Sequence, residues 1–237
     1  MKKENEEIMK SVEEEGRRHP LAKDEKKSHQ AVNEALGFPQ GDAFEEDLTN
    51  LMNAEGAEDG ENIVIALIDV DKFDHVNKDF GRAVGDKVLI DTGTYISSRI
   101  PEGATIYRIG GDEFGIIFHG EYEKEDVFLL LEAIRSSYDV TLPDGSKMSI
   151  TIGMSVAFED ANRVQELVRK AESAMFRAKY AGRNRVAMAK EEKMVPKTSH
   201  YTQDQLKRLN KLSKREGVGE AILLREAIDM LLKKYDI

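Results

Sequence analysis

The chain has no cysteine, and this absence removes several kinds of chemistry at once. It excludes disulfide bonds, cysteine-ligated zinc and thiol catalysis, and it is typical of proteins that work in a reducing cytosol. The five histidines are scattered along the 237 residues and show no spacing typical of a metal site. We therefore expect a cytoplasmic protein whose chemistry depends on other side chains.

Long hydrophobic runs are also missing. No apolar stretch approaches the roughly 18 residues that a membrane span needs. The N-terminal residues Met1-Lys2-Lys3-Glu4-Asn5 lack the apolar core of a signal peptide, so we expect no membrane partner. A formal net charge of −10 argues against polyanion binding by the whole surface, although it leaves room for a local basic patch.

Composition divides the chain into four parts, which its length of 237 residues allows. Residues 1–32 are mostly charged, and they predict a solvated helix or loose arm, or a short coiled-coil contact. Residues 33–189 form the main domain, 190–196 a Lys/Glu linker that ends in proline, and 197–237 a compact unit. Residues 190–237 contain eleven Lys/Arg against eight Asp/Glu, so the tail is the basic part of an acidic protein.

The main domain predicts an α+β fold, a mixed and mainly antiparallel sheet packed with helices. Strands are predicted at 63–68, 104–107, 116–118, 148–156 and 186–188, and helices at 43–52, 85–100, 126–138 and 161–180. Two of these strands flank one short glycine-containing turn, which favours a partly antiparallel sheet over a doubly wound parallel fold. The compact unit predicts a strand at 197–201 and helices at 202–216 and 219–235.

Two short acidic stretches follow predicted strands: Asp69-Val70-Asp71 and Gly110-Gly111-Asp112-Glu113-Phe114. We predict that the second stretch occupies a hairpin turn. Carboxylates beside so much apolar surface are costly unless a cation meets them. Mg²⁺ binds one or two carboxylates together with substrate oxygens. The pattern therefore predicts a divalent metal ion that holds a phosphate group.

These stretches belong to a longer set of motifs, namely Asp69 to Phe73, Asn77, Gly81, Gly85-Asp86, Arg108 to Phe114, Thr151-Ile152-Gly153 and Ala178 to Arg185. In this order, over about residues 33–188, the set resembles the GGDEF-domain diguanylate cyclases. The resemblance implies a ferredoxin-like palm related to nucleotide polymerases. It also implies an enzyme that condenses two GTP molecules into cyclic di-GMP with Mg²⁺ or Mn²⁺.

The resemblance assigns catalytic and metal-binding roles to the two acidic stretches. Asp69, the Val70 carbonyl and Asp112 would bind the metal ion. Asp112 would also accept the proton of the ribose 3′-hydroxyl, which a nearby metal ion makes more acidic. Glu113, the second acid of the predicted turn, would be a structural or catalytic helper.

Seven residues would contact the nucleotide by resemblance: Phe73, Asn77, Asp86, Gly110, Gly111, Lys179 and Arg183. Asp86 suits guanine because the guanine N1–H and N2 amino groups are donors, a pair that adenine lacks. The two glycines let the backbone approach the nucleotide closely. Lys179 and Arg183, four residues apart, would share one helix face and suit a triphosphate, although a solvated basic face has the same spacing.

Three features depart from the family pattern. Asp74 occupies the place of a lysine that helps to hold phosphate, and residues 33–41 keep only part of the usual Asp-x-Leu-Thr-Gly-Leu segment. Pro101 and Ala104 occupy the places of the Arg and Asp that bind inhibitory product, so we expect little product inhibition there. Two alternatives therefore stay open: an inactive sensor of GTP or cyclic di-GMP that regulates a DNA-binding tail, and a transcription regulator whose palm is only a scaffold.

The tail has a resemblance of its own. Thr198 to Tyr201, Leu206, Leu209, Leu212, Gly217-Val218 and Ile222 to Asp229 resemble ribbon-helix-helix proteins of the CopG/Arc type. A unit this small cannot bury enough apolar area alone, and the resemblance implies an obligate homodimer with paired strands. Outward side chains of the strand (Thr198, His200 and Lys197) would enter a DNA major groove. Dimerisation alone is the other interpretation, since it would bring two GTP-loaded domains together.

Overall fold

The computed structural model describes residues 23–54, 62–190, 198–216 and 219–235. The Cα positions divide into two compact units, Met1–Lys190 and Glu191–Ile237. Most of the predicted arm 1–32 lies outside the described residues, so this interpretation and the predicted domain bounds stay predictions.

The first unit contains one five-stranded sheet. Its strands are β1 (Asn62–Val70), β2 (Ala104–Arg108), β3 (Glu113–Gly120), β4 (Ile150–Val156) and β5 (Val186–Met188). They lie in the order β2-β3-β1-β4-β5, and every neighbouring pair is antiparallel except the parallel pair β4–β5. The mixed sheet confirms the predicted α+β fold.

Among the described residues of the first unit, six helices cover the two faces of this sheet. They are α1 (Lys23–Leu36), α2 (Gly41–Ala54), α3 (Phe73–Phe80), α4 (Arg82–Ser97), α5 (Lys124–Ser136) and α6 (Val164–Tyr180). Side chains of β1 alternate between two hydrophobic cores, one shared with α1, α3, α4 and α5 and the other with α2 and α6. Because both faces of β1 are buried, its sequence is a continuous apolar run rather than an alternating one.

Several predicted boundaries are wrong by a few residues. Helix α4 begins at Arg82 rather than at 85, because Gly81 has a positive φ of 83° and the helix starts directly after it. Helix α6 begins at Val164 rather than at 161, since Ala161 still forms a β-bridge with Ala157. Strand β4 begins at Ile150 rather than at 148.

Helix α3 was not predicted from the sequence, although it connects the site residues after β1 to α4. Its apolar residues Phe73, Val76 and Phe80 have helical spacing, and the first two are buried. The element has eight residues and is therefore shorter than the windows in which periodicity is informative.

Gly153 fixes how closely α6 lies on the sheet. A Cβ atom at this position of β4 would stand 2.1 Å from the Ala171 carbonyl oxygen and 2.5 Å from the Met175 backbone nitrogen. Any larger residue would therefore push α6 away from β4. This close packing holds the last turn of α6, which contains Lys179, beside the end of β1.

The second unit contains α7 (Gln203–Glu216) and α8 (Glu220–Lys234), close to the predicted bounds. Thr202 and Gln205 cap α7 reciprocally. The Thr202 backbone N–H donates to Gln205 Oε1 at 2.9 Å, and the Gln205 backbone N–H donates to Thr202 Oγ1 at 3.2 Å. The described residues 198–201 form no strand within the single chain, and the strand predicted at 197–201 stays a prediction. A β-ribbon needs the backbone of a second strand, and the resemblance expects that strand from another chain.

No helix in the described ranges combines the length and the apolarity that crossing a membrane requires.

Candidate active site

The candidate site lies where β1 ends beside the turn that connects β2 to β3. Asp69 pairs with Glu113 in the β1–β3 register, and the Val70 N–H donates to the Asp112 carbonyl oxygen at 3.2 Å. The N–H groups of Ile109 and Gly110 both donate to the Glu113 carbonyl oxygen, at 3.1 and 3.2 Å. The structure thus brings the two predicted acidic stretches together.

The turn is shorter than the sequence predicted. Glu113 and Phe114 lie in β3 rather than in the turn, because they pair in register with Asp69 and Ile68 of β1. Phe114 is completely buried in the hydrophobic core. The turn itself therefore presents Gly110, Gly111 and Asp112.

Burial makes the charged forms of the two aspartates, Asp69 and Asp112, less favourable. Asp69 is only 7% exposed, and burial raises its pKa to about 6, although the nearby Lys179 opposes this shift. The charges of Asp112 and Glu113 raise it further. The pKa of Asp112 is raised as well, first by burial and then by Glu113. A bound cation would relieve this repulsion.

The donor set fits a hard divalent metal ion that also binds substrate. Carboxylate and carbonyl oxygens are the ligands that Mg²⁺ prefers, and Mg²⁺ often takes only one or two carboxylates beside phosphate oxygens. Within the ranges that the structure describes, no three His, Cys, Asp or Glu side chains cluster to hold a metal ion by themselves.

Lys179 is in direct contact with this acidic site. Its Nζ atom donates to Asp69 Oδ2 at 2.6 Å from the last turn of α6. Arg183 was predicted to share its helix face, and that prediction is wrong because α6 ends at Tyr180. Arg183 instead lies exposed in the following turn, with a left-handed φ of 63°.

The residues predicted to recognise guanine meet at the corner between α3 and α4. A Cβ atom on Gly85 would stand only 2.0 Å from Asn77 Oδ1 and 3.2 Å from the Phe73 ring. Asn77 can therefore pack against α4 at Gly85, the residue before Asp86, only because position 85 is glycine. Phe73 is 8% exposed and belongs to the hydrophobic core beneath this corner.

The sequence motifs include Arg108 but assigned it no role. The structure shows that this residue connects the β2–β3 turn to Asn33 of α1. This residue is 5% exposed, and its guanidinium donates to Asn33 Oδ1 at 2.5 Å and to the Gly111 carbonyl oxygen at 2.8 Å. Burial lowers its pKa, whereas the charges of Asp86 and Asp112 raise it. An arginine at the end of an apolar strand was the available signal.

Gly110 of the turn lies close to the Glu113 side chain. A Cβ atom on Gly110 would stand 3.0 Å from Glu113 Oε2, so a side chain there would displace this carboxylate.

Asp74 acts on the site through its charge, which contributes to the raised pKa of Asp112. The acid that replaces the usual lysine therefore acts on the site itself. The chemical roles of all these residues stay predictions.

Comparison with known proteins gives two family matches. Residues 37–185 match the family described as "Diguanylate cyclase, GGDEF domain", and residues 194–236 match the "Ribbon-helix-helix domain". The chain is 30% identical to diguanylate cyclase TpbB of Pseudomonas aeruginosa strain UCBPP-PA14 over 160 residues, which are 66% of this chain and 37% of that protein. It is 30% identical to diguanylate cyclase DgcZ of Escherichia coli K12 over 137 residues, 56% of this chain and 46% of that protein.

Solved structures agree with these matches. The GGDEF domain of PA1120 (YfiN or TpbB) from Pseudomonas aeruginosa superimposes with a TM-score of 0.61 at 28% identity, over 66% of this chain and 99% of that one. The GGDEF domain of DgcB from Caulobacter crescentus in complex with c-di-GMP gives 0.58 at 25% identity, over 64% of this chain and 91% of that one. The chain spans less than half the length of the two curated relatives, so the match concerns one domain of each.

Proposed function

Because this chain belongs to the GGDEF diguanylate cyclase family and also contains a ribbon-helix-helix domain, we propose that it condenses two GTP molecules into cyclic di-GMP. The observation that carries this proposal is the meeting of Asp69, Asp112 and Lys179 at the end of β1. Two buried acids with raised pKa values and one cation suit a site for a metal ion and a phosphate. We further propose that the protein acts in the cytoplasm as a homodimer.

In the proposed reaction, Asp69, the Val70 carbonyl and Asp112 hold Mg²⁺ or Mn²⁺. The bound ion supplies neutralisation of phosphate charge and makes a nearby hydroxyl more acidic. Lys179, already 2.6 Å from Asp69, adds a positive charge on the phosphate side of the site. Gly110 and Gly111 let the nucleotide approach the turn backbone.

Asp112 is the proposed acceptor for the proton of the ribose 3′-hydroxyl. A general base is most effective when its pKa lies near the working pH, and burial and Glu113 both raise the pKa of Asp112 in that direction. Arg108 holds the carbonyl of the neighbouring Gly111 and thus keeps the turn in place. Glu113 is the proposed helper, since its charge acts on both aspartates.

Base selection is proposed for Asn77 and Asp86, with Phe73 supporting their corner from the core. An Asp86→Ser variant should reduce the preference for GTP over ATP by roughly 100-fold, because the acceptor for the guanine donors is lost. Competition binding of the two nucleotides measures this preference. The half-buried Asp91→Ser variant, five residues further along α4, is the control, and an unchanged preference in Asp86→Ser would remove Asp86 from the base site.

The tail has a use in this reaction even without DNA. Each GGDEF domain would hold one GTP, and the product requires two such domains that face each other. A dimerising ribbon-helix-helix domain would raise the effective concentration of this encounter. Contact of residues 197–237 with DNA is a further proposal, which the basic composition of the tail supports.

The deciding experiment is incubation of the purified protein with labelled GTP and Mg²⁺. Formation of labelled cyclic di-GMP, dependent on the metal ion and lost in Asp112→Asn, supports the cyclase. Saturable GTP binding without product contradicts it and supports the sensor. A DNA mobility shift that disappears on deletion of residues 197–237, in a protein that binds no GTP, would support a regulator with a scaffold palm.

One observation favours the sensor as second candidate. Asp74 stands where the family has a phosphate-holding lysine, and its charge acts on Asp112. A negative charge there repels a triphosphate and should lower the affinity of the proposed site for GTP. Product formation measured over a long incubation separates slow turnover from none.

A further inference from the structure

Asp71 belongs to the first acidic stretch, yet the proposed reaction gives it no task. The residue is 4% exposed and directly follows β1. Its backbone N–H donates to the Ser149 carbonyl oxygen at 2.9 Å, so the main chain is fixed against the residues before β4. A buried carboxylate in such a position requires specific partners.

The partners of the Asp71 carboxylate are three donors of the protein itself. Thr151 Oγ1 donates to Oδ1 at 2.7 Å, and Ser149 Oγ donates to Oδ2 at 2.7 Å. The backbone N–H of Asn184 also donates to Oδ2, at 3.1 Å. These bonds use most of the acceptor capacity of a carboxylate, which has about four lone-pair sites. The Asp71 carboxylate therefore accepts from neutral hydroxyl and backbone donors, whereas the Asp69 carboxylate accepts from the charged Lys179.

The Asn184 bond leads to an unusual turn. Arg183 and Asn184 have φ values of 63° and 47°, so two consecutive residues other than glycine are left-handed. This conformation is unfavourable for an L-residue, although asparagine is among the more tolerant types. Such a turn persists only where its surroundings hold it. The Asn184 N–H donates both to Asp71 and to Thr151 Oγ1, the latter at 3.0 Å.

The same turn contains the backbone of Arg183. Helix α6 ends at Tyr180, and the Arg183 N–H still donates to the Ala178 carbonyl oxygen at 3.0 Å. The chain then reverses through Arg183 and Asn184 into β5. The left-handed φ of Arg183 therefore sets the direction in which its Cα–Cβ bond leaves the backbone, and the left-handed φ of Asn184 continues the reversal of the chain.

We propose that Asp71 is a positioning residue, which holds the left-handed turn at Arg183 and Asn184 so that Arg183 presents its guanidinium to the phosphate chain of the nucleotide. The proposal rests on the proposed function, in which Arg183 binds the triphosphate. It assigns the two acids of one stretch to different tasks: Asp69 holds the metal ion, and Asp71 holds the loop that binds phosphate.

A double-mutant cycle on nucleotide binding tests this assignment. Asp71→Asn should weaken the binding of GTP, with Mg²⁺ present, by about tenfold, because the loop loses its charged anchor. In the Arg183→Ala background the same change should weaken it less than about twofold, since Asp71 acts through Arg183. GMP lacks the distal phosphates, so its affinity should change little in Asp71→Asn.

Two matched variants separate positioning from general destabilisation. Thr151→Val keeps the shape of a fully buried residue but removes its bonds to Asp71 and Asn184, so it should reproduce the loss of GTP affinity. Ser155→Ala removes a buried hydroxyl from the same strand, one that donates to the Leu167 carbonyl oxygen at 2.8 Å. This control should leave GTP binding unchanged.

Hydrogen exchange of residues 181–186 without nucleotide gives a readout that is independent of the proposed function. Exchange should become about tenfold faster in Asp71→Asn and Thr151→Val, and not in Ser155→Ala. If the wild type binds no GTP, the proposed function fails, and this measurement still decides whether Asp71 holds the turn.

Several results would overturn the proposal. They are unchanged exchange in Asp71→Asn, additive losses in the cycle, and equal losses for GMP and GTP. Loss of Mn²⁺ binding in nucleotide-free Asp71→Asn, with exchange unchanged, would make Asp71 a metal ligand instead. If Asp71→Asn does not fold, Thr151→Val takes its place in the cycle.

Discussion

The two units of this chain treat their apolar side chains in opposite ways. In the first unit, Ile65 and Ile68 of β1 and Phe114 of β3 are completely buried. In the second, Ile228, Met230 and Leu231 of α8 are 54%, 67% and 54% exposed. The first unit therefore buries a core of its own, whereas the described part of the second unit, too small to bury much apolar area alone, leaves large apolar side chains exposed. Chemistry and assembly should accordingly be separable by mutation.

The largest effect should come from the chemistry of the first unit. Asp112→Asn should reduce cyclic di-GMP formation about 10³-fold, because an amide replaces the proposed metal ligand and proton acceptor. The oligomeric state, measured by light scattering, should stay unchanged. Asp126→Asn, an exposed acid in the first turn of α5, is the matched control. Equal turnover in both variants would contradict the assignment of Asp112.

The second prediction breaks the apolar surface of the tail. Ile228→Glu should convert the proposed dimer to a monomer and reduce turnover about 100-fold at low protein concentration, since two GTP-loaded domains would then meet only by diffusion. Turnover per chain should recover as the protein concentration increases. Lys211→Glu, at an exposed polar position of α7, serves as the control. A concentration-independent loss would mean that the tail acts on chemistry rather than on assembly.

The third prediction concerns the departure at position 74. Asp74→Lys should increase GTP affinity about tenfold, because it replaces a repulsive charge near Asp112 with one that attracts phosphate. His75→Lys adds a positive charge at the next exposed residue of α3 and should have a smaller effect. If both variants behave alike, the benefit is general electrostatics, and position 74 has no special place in the site.

The smallest effect concerns the stability of the metal-free first unit. Burial raises the folded-state pKa of Asp69 to about 6, above its ordinary value of 3.8, so the folded protein binds more protons between these two values. Stability therefore falls as the pH rises through this window, by about 1 kcal/mol between pH 5 and 7. Asp69→Asn should remove this contribution. Denaturant unfolding at both pH values, without divalent metal ions, measures it.

Two controls sharpen this last prediction. Mg²⁺ with GTP should recover the stability that the wild type loses at pH 7, but should not stabilise Asp69→Asn to the same extent. Asp42→Asn, at an exposed position in the first turn of α2, should leave the pH dependence of the wild type intact. An identical pH dependence in the wild type and in Asp69→Asn would show that Asp69 titrates as an exposed acid.

Part of the site was predictable because its signals are local. The strands around Asp69 and Asp112 appear as apolar runs, and these two acids lie at the end of β1 and at the β2–β3 turn. Other features depended on chain geometry. The spacing of Lys179 and Arg183 predicted one helix face, but the helix ends between them. The predicted strand at 197–201 could not be tested within one chain, since its pairing partner is expected from another.

The sequence by itself determined the family, the mixed α+β sheet and the residues at which acids and glycines interrupt apolar strands, because these depend on local pattern and residue type. Only the tertiary structure decided which side chains meet. Lys179 bonds to Asp69 across 110 residues, and the Asn184 backbone bonds to Asp71 across 113. The physical reason is that such contacts exist only after α6 packs on β4 at Gly153, so no local pattern encodes them.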